Sequence, residues 1–289
     1  ESGEYFLNFP SLISSRSVWM QAVCDLALLT ATIPDWDYDG DGDPSNDFTD
    51  EVHYVGQSLG GLIGTTFLSA MPEGYISSGE LNVTGGAVAK LLENSPIYNP
   101  RLLNFFADNG LVQGSTRAEQ ALNVISAVAD SVDPINHIRR AAQRVPIHMG
   151  VVVGGKPTAE NSFGVWLPDT VVPTDSLGTG LYAVMVGTPV TDLPNGTGDP
   201  GTYVGIAEPS YLGGSFAMER IGSLSRPELS GTPLGSGFQK LYPLDLHSGG
   251  ASHYIAGDHG IFANPLDDVG ASMQFGGRAW VQDAGKRIF

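Results

Sequence analysis

Ser58 lies between glycines in Gly56-Gln57-Ser58-Leu59-Gly60, and acids and histidines follow it along the chain. Together these residue types point to acyl transfer. A serine hydroxyl is a weak nucleophile until a base takes its proton, and that base needs a carboxylate to orient it. A second segment, Asp35-Trp-Asp-Tyr-Asp-Gly-Asp-Gly-Asp43, places a carboxylate at every second position. Short alternating carboxylates supply several of the six to eight oxygens that Ca²⁺ takes, and Gly40 allows the sharp turn. In one register Asp35, Asp37, Asp39 and Asp43 are ligands, with Asn46 at the closing position and Asp47 next to it; a second register starts at Asp37 and uses Asp39, Asp41 and Gly42. No histidine cluster accompanies the loop, so its metal is expected to be structural. Cys24, the single cysteine, excludes an intrachain disulfide. Its apolar neighbours suggest a small core residue.

The elements that must position Ser58 are legible around it. Glu51 to Val55 is short and rich in β-branched and aromatic residues, which predicts a strand running into Gly56. Leu59 to Met71 predicts a helix ended by Pro72. A serine on the sharp turn between strand and helix needs small flanks, and Gly56, Gly60, Gly61 and Gly64 supply them. The helix N-terminus favours negative charge on a bound oxygen, so the Leu59 N–H is the candidate oxyanion donor.

Ser17 to Leu29 predicts an earlier helix, with Val18, Met20, Val23, Leu26 and Leu29 facing the core. Glu80 to Thr84 and Pro146 to Val153 predict further strands, the latter a near-continuous apolar run suited to a buried parallel strand. Residues 87–144 are helical in pattern, with breaks near Pro96 and Pro100, and form a cap-like insertion. Residues 161–237 are rich in loops, with 176–237 as an insertion and a strand-like piece at Leu181 to Val186. Phe238 to Leu246 is the expected last strand and Ala279 to Ala284 part of a final helix. Strands alternating with helices indicate an α/β class with a mostly parallel sheet, here in one domain over 1–289.

The chain has 289 residues, 42% hydrophobic and 16% charged, with 31 acidic and 14 basic side chains and a net charge of −17. Such an acidic surface repels nucleic acid and anionic membranes. No continuous apolar stretch of about 18 residues is present, so no spanning helix is expected. The acid excess suits a soluble, secreted or calcium-loaded protein.

Val52-His-Tyr-Val-Gly-Gln-Ser-Leu-Gly-Gly-Leu-Ile-Gly-Thr65 resembles the nucleophile elbow of bacterial extracellular lipases and esterases of the α/β-hydrolase superfamily. The resemblance extends to the Leu/Ala-rich helix before it and to Asp-Pro-Ile-Asn at Asp133 to Asn136. Many of those proteins carry His where this chain has Gln57, a position outside the triad. The resemblance implies an α/β-hydrolase fold, an extracellular or cell-surface location and fatty-acyl ester substrates. It also implies the chain order Ser, Asp/Glu, His, which excludes His53.

Of the later histidines, His137 and His148 come too early and suit structural roles. His247, His253 and His259 remain as bases. His259 lies in Gly257-Asp258-His259-Gly260, which is similar to the histidine loop of that family. The acid belongs after the strand that ends near Val153, where Glu160, Asp169 and Asp175 are candidates. Asp169 stands in Leu167-Pro168-Asp169-Thr170-Val171-Val172-Pro173, similar to the family's Pro-Asp-x-Val-x-Pro segment.

The family's second oxyanion donor comes from a loop after an earlier strand, and Glu1 to Pro10 is too short to hold it. The expectation is a separate N-terminal polypeptide of the same precursor that completes the sheet. The expected activity is carboxylester hydrolysis on lipid or small ester substrates through Ser58, His259 and Asp169, with Leu59 as oxyanion donor and Leu91 to Leu111 as acyl-binding cap. The cofactor is structural Ca²⁺, with no organic cofactor. The alternative is a hydrolase-like protein that binds ligands, or acts in a calcium-dependent way, without turnover.

Overall fold

The computed structural model describes residues 6–48, 51–95, 97–152, 169, 171–173, 214–224, 250–254 and 259–260. Among the described residues four strands form one sheet: β1 (His53–Gln57), β2 (Ser78–Asn82), β3 (Ile147–Val152) and β4 (Gly250–Tyr254). Their spatial order is β1-β2-β3-β4, and every neighbouring pair is parallel. Helix α1 (Leu12–Thr32) precedes β1, and α2 (Leu59–Ala70) joins β1 to β2. Between β2 and β3 come α3 (Val88–Asn94), α4 (Asn99–Asp108), α5 (Thr116–Ala129) and α6 (Pro134–Arg144). Helix α7 (Gly214–Gly222) lies between β3 and β4. The architecture is therefore a parallel α/β sheet with flanking helices.

Crossovers between parallel strands are right-handed in nearly all proteins. A strand order that advances in one direction then puts successive crossover helices on one face. Accordingly, Phe67 and Leu68 of α2, Ile138 and Ala141 of α6, and Met218 of α7 share one core cluster. Leu81, Ile147, Met149, Val151 and Ala251 meet them from the sheet. Alternation along each strand sends Glu80, Asn82 and His148 to the opposite face, where they too are buried. Val55, on β1 at one end of the strand order, is 54% exposed.

Helix α1 is longer than the sequence pattern predicts, and its inner face differs. Trp19 is buried and Val23 and Leu26 pack on the core, following the i, i+4, i+7 spacing of one helical stripe. Met20, Leu28 and Leu29 lie on the outer side with Ile13. Cys24 is also exposed, which corrects its expected core position; it sits one residue past Val23, about 100° round the helix. Leu12–Asp35 is long and apolar enough to cross a membrane by length and composition, with mean hydropathy 1.2 over 18 residues. Arg16 and Asp25 interrupt the run, so it is not continuously apolar over about 18 residues.

The expected last strand at Phe238 to Leu246, the pieces at Leu181 to Val186 and Ala279 to Ala284, and most of 176–237 lie outside the described residues. β4 is the strand that leads to His259. Within 87–144, Ala89 of α3, Leu102 and Phe106 of α4, and Ala118, Leu122 and Ile125 of α5 form their own cluster. Helix α6 belongs to the main core instead.

Asp133 ties these two parts together. Its carboxylate accepts hydrogen bonds from the Ala87 N–H at 2.8 Å, the Val88 N–H at 2.7 Å and the Ile135 N–H at 3.1 Å. It thus caps α6 and holds the start of α3, where Ala87 has a left-handed φ of 56°. Burial pushes the carboxyl up, while the three N–H donors favour its charged form. Asp133→Ala removes a cap and strands buried donors. A loss of about 2–4 kcal/mol in urea unfolding is expected.

Candidate active site at the C-terminal ends of the strands

Ser58 sits between β1 and α2 with φ 53° and ψ −118°. These are the angles of the first central residue of a type II′ turn, a place that normally takes glycine. Holding a non-glycine residue there costs on the order of 1–3 kcal/mol. The surroundings fix it: the Ser58 N–H donates to the Asn82 carbonyl at 2.9 Å, and the Ser58 carbonyl accepts from the Leu62 N–H at 3.0 Å. The turn thereby lifts the hydroxyl clear of the strand, with the Leu59 N–H in the unpaired first turn of α2.

Close approach of α2 to β1 explains two glycines of the segment. A Cβ on Gly64 would lie 2.1 Å from the Tyr54 ring, and one on Gly56 would lie 2.6 Å from the Gly60 carbonyl oxygen. The Tyr54 hydroxyl donates to that same carbonyl at 2.6 Å, and burial raises its pKa to about 12. Gly61 packs against Thr84, whereas a Cβ on Gly60 would meet nothing within 4 Å. The second glycine of Gly-x-Ser-x-Gly is therefore not demanded by packing.

The structure brings the three predicted residues together. His259 Nε2 lies 2.6 Å from Ser58 Oγ. His259 Nδ1 lies 2.8 and 3.0 Å from the two carboxylate oxygens of Asp169. The Asp169 side chain is 2% exposed and that of His259 18%, so the acid is buried while the histidine keeps partial exposure. Asp169 follows β3 at a long distance in sequence, yet its N–H donates to the Val152 carbonyl at 3.0 Å. The chain returns to the end of β3 to deliver the acid. There Asp169 Oδ1 accepts the N–H groups of Val171 at 2.8 Å and Val172 at 3.0 Å. Ser95 Oγ donates to the Val171 carbonyl at 2.6 Å, fastening this segment to the end of α3.

Gln57 has a role the sequence reading missed. Its Nε2 donates to the His259 backbone carbonyl at 3.0 Å, so the residue before the serine holds the histidine segment. Only its place beside Ser58 in the chain hinted at this. Of the other candidates, His253 lies within β4, and His247, Glu160 and Asp175 lie outside the described residues. His137 bonds to Ser69 Oγ and His148 to Glu80, and His53 bonds to Ser78 Oγ at 2.8 Å. None of these three joins Ser58.

In the acidic loop, carboxylate oxygens of Asp37, Asp39 and Asp41 lie within 4.8 Å of one another, all exposed. Asp37 accepts the Gly40 N–H at 2.7 Å and the Gly42 N–H at 2.9 Å. Both glycines have left-handed φ, 77° and 86°, which folds the loop back over Asp37. Asp35, Asp43 and Asp47 stand outside this group. Asp35 ends a short 3₁₀ turn, Asp43 caps the turn at 44–46, and Asp47 accepts the Tyr38 N–H at 2.7 Å. The Ser45 hydroxyl and N–H hold the Asp43 carboxyl below the usual carboxylate range.

Comparison with protein-family models, with known proteins and with solved structures finds no match for this chain.

Proposed function

We propose that this chain is a serine carboxylester hydrolase of the α/β-hydrolase type, acting on fatty-acyl esters. The observation that carries the reading is the unbroken hydrogen-bonded series Asp169–His259–Ser58. It is joined to a strained serine at a helix N-terminus. In the reaction, Ser58 Oγ attacks the ester carbonyl as His259 Nε2 takes its proton. Asp169 holds the His259 tautomer and stabilises the imidazolium. The Leu59 N–H donates to the oxyanion of the tetrahedral intermediate. Collapse expels the alcohol, which receives the proton from His259. Water, activated by the same imidazole, then releases the acid from the acyl-enzyme. A fluorophosphonate probe tests the reading. Labelling of the native protein that is absent in Ser58→Ala supports it, and no labelling of folded protein refutes it.

We also propose a structural Ca²⁺ in the acidic loop, held by Asp37, Asp39 and Asp41. Their all-oxygen donor set and mutual distance suit a hard cation, and their charges repel one another without one. Saturating Ca²⁺ is expected to raise Tm, because a ligand that binds only the folded state at 100 times its Kd adds about 2.7 kcal/mol. Asp39→Asn is expected to abolish most of that rise.

A further inference from the structure

We propose that a cavity between α1, α3 and α5 binds a long-chain aliphatic carboxylate, with its tail inside and its head on Arg16. This inference rests on the cavity and on Arg16, not on turnover at Ser58. Phe6, Leu12, Trp19, Leu92, Ile125 and Val128 are among its walls. The space between these walls, counting the open mouth, is about 420 Å³. The segment at its rim is fixed in place. Trp19 Nε1 donates to the Phe6 carbonyl at 2.9 Å, and the Asn8 N–H donates to Ser15 Oγ at 2.7 Å. Apolar walls held open in this way suit an aliphatic chain.

Among the described residues, Arg16 is the only charged one lining the space. Its Nε is buried and has no hydrogen-bond partner. A buried donor without an acceptor costs free energy that a bound oxyanion would recover. The residue as a whole is only partly buried, which places a charged head toward the mouth and a tail deeper in. A guanidinium pairs well with a carboxylate. One cation balances one negative charge, whereas a phosphate dianion would keep an uncompensated charge at this site. The walls of the cavity also pack toward the start of α2, which follows Ser58. Trp19, Leu92 and Val132 of its lining cluster with Leu62, and Phe6, Leu7 and Leu59 pack on that cluster.

Isothermal titration of the native full chain with dodecanoate, below its micellar concentration, tests this. Saturable one-to-one binding is expected, with dodecan-1-ol binding at least tenfold more weakly. Arg16→Gln should weaken dodecanoate about tenfold and leave dodecanol unchanged, and Arg16→Lys should restore much of the difference. Val128→Trp, which fills the space, should abolish both, with circular dichroism confirming that each variant is folded. No saturable binding, equal affinity for acid and alcohol, or an unaffected Arg16→Gln would overturn the proposal. Dodecyl phosphate binding more tightly than dodecanoate would overturn the carboxylate assignment.

Discussion

Asp169→Asn is expected to lower kcat for p-nitrophenyl ester hydrolysis by about four orders of magnitude while the protein stays folded. The geometry separates the two effects. Oδ1 of Asp169 accepts the Val171 and Val172 N–H groups, and an asparagine can place its carbonyl oxygen there. Its amide nitrogen then occupies the position of Oδ2, which faces His259 Nδ1 at 2.8 Å. An amide N–H opposite Nδ1 forces that nitrogen to accept. The ring proton then moves to Nε2, the atom 2.6 Å from Ser58 Oγ. Nε2 can no longer take the serine proton. Steady-state kinetics beside a urea unfolding curve measures both quantities. A variant that is folded and within tenfold of native activity would remove Asp169 from the mechanism.

The second large effect lies in the sheet. His148→Leu is expected to cost about 3–5 kcal/mol of stability. His148 and Glu80 are register partners on the two central strands. His148 Nδ1 lies 2.6 Å from Glu80 Oε2, with side-chain exposures of 0% and 2%. The other oxygen, Oε1, is buried without a hydrogen-bond partner. Removing the histidine leaves a buried carboxylate without the partner seen here. Replacing both members with leucine removes the stranded group as well. The double variant should therefore be more stable than His148→Leu alone. Chemical unfolding of the three proteins decides it. A His148→Leu loss below about 1 kcal/mol would show that Glu80 is satisfied in some other way.

Much of the arrangement around Ser58 was legible from sequence because it is local. A β-branched strand, a serine among glycines and an apolar helix are consecutive, and the steric demands at Gly56 and Gly64 act within a dozen residues. Strands β1, β2 and β3 fell within two residues of their expected places for the same reason. Periodicity fared worse in α1. The helix is apolar on more than one side, so its pattern alone could not say that Trp19 faces inward and Met20 outward.

What only the tertiary structure decided is whatever depends on residues far apart in the chain. Ser58 and His259 stand 201 positions apart, and His259 and Asp169 stand 90 apart. Their meeting depends on the order of the strands and on the return of the chain to Val152. Sequence motifs could nominate these residues, because the chemistry restricts their types. They could not reveal Gln57 holding the histidine segment, Asp133 joining α3 to α6, or the orphaned Arg16 Nε beside an apolar cavity. In each case the function of the side chain lies in a partner, or in the lack of one, that the fold supplies.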